Sequence, residues 1–214
     1  MSIFLSISSY KDPLLSNTLQ SAYKNAHQKN NIVFAVVDQN EEKLDLEQFD
    51  FHDQIRYFFL EAKFARGCAW ARSLAQSLYM GEDYFFQVDS HTIFEDGWDQ
   101  YFTKFYKDIS KKFHRPVISN YPRNFEVIDL ENESYNKYQQ DDKSTHVMVI
   151  DKEHIFKDGY FSMKKGIPSG DNNIKKGFLE WTGILNTFTL FFFTNFNNSP
   201  PEVAIKDPQS FSAK

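Results

Sequence analysis

Residues 66–98 decide the fold of this chain, and they read RGCAWARSLAQSLYMGEDYFFQVDSHTIFEDGW. From residue 69 to residue 79 apolar side chains recur every three or four positions, which predicts a helix with one buried face. Gly81 is a stop signal for that helix. The aromatic run at residues 84–88 predicts a short buried strand. We expect the strand to end on Asp89-Ser90-His91, so that the segment delivers polar side chains to one edge of a sheet.

Asp89 and His91 are candidate metal ligands. In an extended segment, residues two apart share a face, so these two side chains are predicted to point the same way and Ser90 the opposite way. A carboxylate and an imidazole that converge at a strand end can bind a divalent cation such as Mn²⁺ or Mg²⁺. The alternative is a strand end whose two side chains are hydrogen-bonded to nearby backbone, and the tripeptide by itself does not decide between them.

The first half of the chain alternates strands and helices. Residues 3–8, 32–37 and 55–60 are predicted strands, and Asp12-Pro13 suits a helix N-cap followed by proline at the first helical position. This alternation predicts a doubly wound α/β fold, in which ligands bind beyond the carboxyl ends of the strands. Ser8-Ser9-Tyr10 and Asp89-Ser90-His91 are the two polar strand ends that this rule selects.

The second half is predicted to continue as one domain of 1–214. We expect a helix over residues 99–112 and short strands at 116–119, 145–150 and 188–193. Long polar stretches at 120–143 and 164–176 are predicted to be loops. The inward-facing side chains of the helix are predicted to be Tyr101, Phe102, Phe105 and Ile109.

Composition narrows the class of protein. The chain has 214 residues, enough for one sizeable core, and a net charge of −5, which argues against a nucleic-acid binder. Its single cysteine, Cys68, excludes an internal disulfide and favours a reducing compartment. Neither a signal peptide nor an apolar run long enough to span a membrane is evident. We therefore expect a cytoplasmic protein without a membrane span.

Two flanking motifs carry a family resemblance. Gln87-Val88-Asp89-Ser90-His91, preceded by Ala65-Arg66-Gly67 and Trp70-Ala71-Arg72 and followed by Gly97-Trp98-Asp99, resembles a group of N-acetylglucosaminyltransferases. Those enzymes modify hydroxyproline on a ubiquitin-ligase adaptor in protist cytosol. A looser likeness links the chain to polypeptide GalNAc transferases, which also combine an arginine-rich helix start with an Asp-x-His motif. The resemblance implies a GT-A-like (Rossmann-like) α/β fold, a UDP-sugar donor (UDP-GlcNAc), a divalent metal and a hydroxyl acceptor on a protein or glycan.

The resemblance also implies a set of donor-binding residues. Arg66 and Arg72 would contact the diphosphate through their planar donor forks, and Gly67 would allow close backbone approach. The alternative for both arginines is a surface charge paired with Asp or Glu. Uridine would lie at the end of the first strand, where Tyr10 could stack on the base and a carboxylate could accept a hydrogen bond. The residues assigned to that place are Ser8, Ser9, Tyr10 and Asp12, although a helix cap explains Asp12 equally well.

The end of the chain bears on activity. Residues 203–208 resemble a segment after which family members continue into an acidic motif and histidine-containing elements, so the carboxyl-terminal part of the family fold is expected to be missing. The third metal ligand is unassigned, since neither His146 nor His154 lies in matching context, and the catalytic residue is unknown. Two rival functions therefore stay open: an inactive UDP-sugar-binding or interaction module, and a metal-dependent phosphohydrolase or nucleotidyltransferase.

Overall fold

The computed structural model describes residues 1–114, 116–120, 125–129, 134–137, 147–150, 156–157, 160–161, 163–166 and 191–194. Contacts divide the chain into two compact units, 1–118 with 178–214, and 119–177. The single domain of 1–214 expected from the sequence stays a prediction, and each unit is described by itself.

The first unit alternates strands and helices, as the sequence predicts. Short 3₁₀ turns at Lys29–Asn31, His52–Gln54 and Ala62–Phe64 join some of them. The elements in chain order are β1 (Ile3–Tyr10), α1 (Leu15–Lys24), β2 (Ile32–Asn40), β3 (Ile55–Glu61), α2 (Cys68–Gln76), β4 (Tyr84–Asp89), α3 (Trp98–Ser110), β5 (Ile118–Asn120) and, far along the chain, β12 (Phe191–Thr194).

Among the described residues, one six-stranded sheet runs in the order β3-β2-β1-β4-β12-β5. The first four strands are parallel, and β12 pairs antiparallel with β4. From β1 the chain winds outward to β2 and β3, then returns to place β4 on the other side of β1. The predicted GT-A-like α/β class is confirmed, and its topological switch point lies between β1 and β4.

Helix α1 packs on the sheet through the stripe that its sequence predicts. Leu15, Leu19 and Ala22 are buried in the main core, and Ala26 joins them just after the helix. The central strands β1, β2 and β4 are buried along most of their length, as parallel strands covered on both faces must be.

Helix α2 buries the face that its apolar period predicts, with Arg72 as an unexpected member, whereas helix α3 departs from the prediction at Tyr101. The buried residues of α2 are Ala71, Arg72 and Ala75, while the larger Trp70 and Leu74 are only half-buried. Small side chains let this helix lie close to the sheet. In α3, Tyr101 is wrongly predicted to face inward: it is exposed, because the buried positions at Trp98, Tyr106 and Ile109 place it on the outer side.

Two boundaries also need correction. Strand β4 ends at Asp89, so Ser90 and His91 lie in a bend and not in the strand. Helix α1 begins at Leu15 with Leu14 in the N-cap position, two residues later than predicted, but Asp12 still makes a capping contact, because its Oδ1 accepts from the Leu14 N–H at 2.9 Å. Pro13 therefore lies in the turn before the helix, where its fixed backbone angle is tolerated.

The second unit contains three small antiparallel sheets of two strands each among its described residues. The predicted polar loop at 120–143 is wrong in part, because β6 and β7 pair there, with Val127 opposite Tyr135. In the predicted loop at 164–176, residues 164–166 lie in a strand, and residues 167–176 lie outside the described residues. Residues 145–146 of the predicted strand 145–150 also lie outside them. The strands are β6 (Phe125–Asp129), β7 (Ser134–Lys137), β8 (Val147–Ile150), β9 (Phe156–Lys157), β10 (Tyr160–Phe161) and β11 (Met163–Gly166).

Within the described part of the chain, the helices are all too short or too polar to cross a bilayer.

Candidate functional site at the switch point

The carboxyl ends of β1 and β4 meet at one edge of the sheet. Ser8 of β1 is the register partner of Asp89 of β4, and Ser9 is that of Asp38 on the other neighbour, β2. The two polar strand ends selected from the sequence therefore lie side by side at the place where doubly wound folds bind ligands.

Asp89 and His91 converge at this edge. Their Oδ2 and Nε2 atoms lie 3.9 Å apart, and both side chains reach solvent, with 19% of Asp89 and 57% of His91 exposed. The bend between them is held from helix α1: the Thr18 hydroxyl donates to the Ser90 carbonyl at 2.6 Å and accepts from the Thr92 N–H at 2.9 Å. The predicted convergence thus arises from a braced bend and not from the alternation of an extended strand.

Asp12 lies behind His91 and contacts it directly. Its Oδ2 atom is 2.7 Å from Nδ1 of His91 and accepts a hydrogen bond from the Ser90 hydroxyl at 2.6 Å. Its Oδ1 atom accepts from the backbone N–H of Leu14 at 2.9 Å. Both oxygens are therefore engaged within the protein, which differs from the uridine contact expected of this carboxylate.

The charges of Asp12 and His91 reinforce each other. The hydrogen bond to Asp12 raises the pKa of His91, against burial, and the negative charges of Asp12 and Asp89 add to the rise. Burial raises the pKa of Asp12, but hydrogen bonds from His91, Ser90 and Leu14 outweigh it, so the pKa lies below its ordinary value.

Arg72 lies behind Asp89 in the same way. Its Nη2 atom is 3.0 Å from Oδ1 of Asp89, and only 4% of the residue is exposed. The alternative for Arg72, a charge paired with a carboxylate, holds in its pairing but not in its place at the surface: helix α2 carries the guanidinium inward to the carboxylate at the end of β4.

Arg66 and Gly67 precede α2 and face outward. Arg66 is exposed, with its guanidinium 5.7 Å from the ring centre of Trp70. Gly67 has φ +93°, a conformation that side chains rarely adopt, and open space lies where a Cβ would be. Trp98, in contrast, is buried against Phe86 and Phe94, so its role is packing, as expected.

A cavity of about 210 Å³ opens beside the cluster, and one of its walls is a residue outside the set predicted from the sequence. That wall is Asp38, at the carboxyl end of β2, which is only 1% exposed. Its Oδ2 accepts from the Tyr57 hydroxyl at 2.7 Å, while its Oδ1 has no hydrogen-bond partner among the described residues. The cavity is lined by Asp12, Pro13, Leu15, Ser16, Asp38, Asn40, Glu42, Lys43 and Leu44.

Unsatisfied buried oxygens concentrate at this edge. Within the described ranges, Oγ of Ser8, Oγ of Ser9 and Oε1 of Gln39 also lack a partner, and so does Oγ of Ser6, which lies farther back in β1. Buried polar atoms are normally hydrogen-bonded, so such a group of orphans marks a place that a ligand or ordered water completes. Tyr10 follows them at the strand end with 57% of its surface exposed.

The residues present fit a divalent ion in part. Two atoms that each lie about 2.1 Å from one ion are at most about 4.2 Å apart, and the 3.9 Å separation of Oδ2 and Nε2 satisfies that limit. The described residues contain no group of three or more His, Cys, Asp or Glu placed to hold a metal. His146 and His154 lie outside those residues. Asp89 and His91 thus supply two ligands of a set that water or a phosphate oxygen would have to complete.

The sheet and its polar edge define the class: a doubly wound α/β domain with a candidate ligand site at the switch point. The sequence model of the family described as Glycosyltransferase (GlcNAc) matches residues 41–178, which is more than half of the chain. The chain belongs to this glycosyltransferase family. Among curated proteins, none matches the chain significantly.

Some solved structures align with part of the chain at low similarity. S. aureus TarS 1-349 aligns with a TM-score of 0.43 and 17% identity over 55% of this chain and 34% of that one. The same protein in complex with UDP-GlcNAc aligns at 0.43 and 19%, over 55% and 33%. The mannosyltransferase PcManGT from Pyrobaculum calidifontis, in complex with GDP-Man and Mn²⁺, aligns at 0.35 and 18%, over 44% and 29%. The chain thus spans about a third of the length of the TarS structures that it matches.

Proposed function

We propose that this chain binds UDP-GlcNAc together with Mn²⁺ or Mg²⁺ and transfers GlcNAc to a hydroxyl acceptor. The observation that carries the proposal is the pair of Asp89 Oδ2 and His91 Nε2, 3.9 Å apart at the switch point of a family glycosyltransferase. Both atoms are turned toward each other and reach solvent, as two ligands of one ion must. A bound ion would neutralise charge on the diphosphate and on the departing UDP.

The nucleoside would enter the cavity beside the cluster. The partnerless Oδ1 of Asp38 is a ready acceptor for the uracil N–H or a ribose hydroxyl, and its satisfaction would remove the cost of an unpaired buried oxygen. Tyr10 is exposed two residues before Asp12, which lines this cavity, and would stack on the base. Ser8 and Ser9 follow one another in β1 and point to opposite faces of the sheet, so only one of the two hydroxyls would reach this ligand.

The diphosphate would lie toward the start of α2. Arg66 is exposed and ahead of the helix, so its fork is free to turn from Trp70 to a phosphate oxygen. The first backbone N–H groups of α2 follow Gly67 and favour an anion at a helix N-terminus. Arg72 would act on Asp89 and not on the donor, since its guanidinium is buried against that carboxylate.

Reaction outcome and acceptor rest on the family resemblance. Transfer with retention, a hydroxyl acceptor on a protein or glycan and a cytoplasmic setting belong to the proposal in the form that the related enzymes imply. The contribution of these residues to rate would be positioning and charge stabilisation.

Calorimetry tests the donor and the metal together. UDP and UDP-GlcNAc are titrated into the protein with and without Mn²⁺, and the same is done with Asp89→Ala. The matched control is Asp53→Ala, which removes an exposed aspartate paired with His52 on a distant turn. We expect Mn²⁺-dependent binding that Asp89→Ala abolishes and Asp53→Ala preserves; equal affinity in all samples would refute the proposal.

Product analysis separates the rival functions. Release of GlcNAc from UDP-GlcNAc without acceptor would show that turnover machinery is present and would exclude a purely binding module. Release of inorganic phosphate from nucleotides would instead favour a phosphohydrolase, for which the described residues offer no cluster of three metal ligands.

A further inference from the structure

The two candidate metal ligands are each held from behind by a different residue. Asp89 offers Oδ2 to the site while its Oδ1 meets Arg72, and His91 offers Nε2 while its Nδ1 meets Asp12. In both side chains one polar atom is anchored within the protein and the other faces its neighbour. Such an arrangement fixes orientation before any ligand arrives.

We propose that Asp12 is a positioning residue for His91: its carboxylate holds the proton on Nδ1 and keeps the lone pair of Nε2 turned toward Asp89. The inference deepens the proposed function and rests on it for the identity of the ion. It reassigns Asp12 from the nucleotide to the metal side of the site.

The tautomer follows from the chemistry of the partner. An ionised carboxylate only accepts hydrogen bonds, so at 2.7 Å from Oδ2 of Asp12 the Nδ1 atom must carry the hydrogen. A neutral imidazole has a single N–H, which leaves Nε2 as the atom with a lone pair. A hydrogen bond of this kind to the second nitrogen is the usual support of a metal-binding histidine, and its loss typically lowers metal affinity by about 10–100-fold.

The anchoring carboxylate is itself rigidly held. Only 14% of the Asp12 side chain is exposed, the Ser90 hydroxyl donates to the same Oδ2, and the Leu14 N–H fixes Oδ1. These contacts tie the loop after β1 to the bend after β4. Asp12 therefore joins the two strand ends of the switch point and sets the direction of the imidazole between them.

Two substitutions test this role at different points. Asp12→Ala removes the acceptor, and we expect Mn²⁺ affinity, measured by electron paramagnetic resonance of free Mn²⁺ in the presence of UDP, to fall by about 10–100-fold. Asp12→Asn keeps the shape and one acceptor oxygen for Leu14, but its amide nitrogen then faces Nδ1 as a donor. The imidazole must respond by moving its proton to Nε2 or by turning away, so this variant should lose Mn²⁺ binding while unfolding near the wild-type temperature.

Nitrogen NMR of histidine-labelled protein reads the tautomer directly and needs no metal. At alkaline pH, where the ring is neutral, we expect His91 to show a protonated Nδ1 in the wild type and to lose that signature in Asp12→Asn. Asp53→Ala, which removes the aspartate beside His52, is the control and should leave both Mn²⁺ affinity and the His91 signals unchanged.

The outcomes distinguish this inference from the proposed function. A wild-type protein with Nδ1 protonated that binds no Mn²⁺ would refute the metal-dependent function and leave the positioning role supported. A wild type that binds Mn²⁺ while Asp12→Ala and Asp12→Asn bind it equally well, or a His91 protonated on Nε2, would overturn the inference.

Discussion

The Nδ1 atom of His91 and the Oδ2 atom of Asp12 lie 2.7 Å apart although 79 positions separate the two residues in the chain. The contact joins the ends of two parallel strands that leave the sheet at its switch point. It brings an imidazole into line with Asp89, so that a carboxylate and a ring nitrogen face one position in solvent. The predictions below start from this arrangement.

Removal of Asp89 should abolish the Mn²⁺ dependence of UDP binding. Asp89→Ala takes away a direct ligand, so the loss of affinity should exceed the roughly 10–100-fold expected for an outer partner. Calorimetry with UDP at fixed Mn²⁺ measures it. Unchanged UDP affinity in a folded Asp89→Ala protein would show that Mn²⁺ binds elsewhere or that UDP binding needs no metal.

Arg72 and Arg66 should differ sharply in their effect on stability. Arg72→Ala breaks a largely buried ion pair and leaves Asp89 without its partner, which costs about 3 kcal/mol of unfolding free energy. Arg66→Ala removes an exposed contact with Trp70 and should cost about 0.5–1 kcal/mol. Urea denaturation of both variants checks this, and equal losses would contradict the buried role of Arg72.

Asp38→Asn should change both pH dependence and nucleotide affinity. Burial raises the pKa of Asp38 above its ordinary value of 3.8, and the hydroxyls of Tyr57 and Ser9 only partly oppose the rise. Folding thus favours the protonated acid, and the stability this gives below pH 3.8 is lost as pH rises through the raised pKa. The amide of Asp38→Asn does not ionise, so the variant does not lose this stability as the pH rises.

The measurement is the unfolding free energy of wild type and Asp38→Asn across the acidic range. The wild type should lose stability relative to the variant as pH increases, and parallel profiles would argue against the shifted pKa. Binding of UDP should weaken by about 10–100-fold, the equivalent of a charge-assisted hydrogen bond of about 1.5–3 kcal/mol.

Two glycines with positive φ should tolerate alanine differently. Gly67→Ala meets open space and should lose about 1–3 kcal/mol through backbone strain alone. In Gly97→Ala the new Cβ would also lie 3.2 Å from Cε1 of His27. Truncation of His27 to alanine should therefore recover part of the loss in Gly97→Ala and none of it in Gly67→Ala; equal recovery in thermal unfolding would show that sterics play no part.

Much of the fold could be predicted because its signals are local. The apolar run of β2 and the period of α1 each lie within one segment, and the parallel order follows once strands and helices alternate. Two side chains were harder to place, Arg72 in α2 and Tyr101 in α3, since their burial depends on what each helix packs against. Arg72 is the clearest case. A charged residue in an amphipathic helix is normally predicted to lie at the surface, and its buried partner, Asp89, is known only from the structure.

The site was predictable in part for the same reason. Asp89 and His91 lie two positions apart in the sequence and share a motif, whereas the pairing of His91 with Asp12 depends on how two distant strand ends meet. Asp38 carried a usable signal: it follows the apolar run of β2 just as Ser8-Ser9-Tyr10 and Asp89-Ser90-His91 follow theirs. The strand-end rule, applied to all three central strands, would have selected it.

The most direct measurement is a crystal structure of the protein soaked with UDP-GlcNAc and Mn²⁺, with the ion located by its anomalous scattering. We expect one Mn²⁺ within about 2.2 Å of both Asp89 Oδ2 and His91 Nε2. The ion should also contact the diphosphate, and the uracil should lie beside Asp38. Bound nucleotide without an ion between those two atoms, or an ion bound elsewhere in the chain, would contradict it.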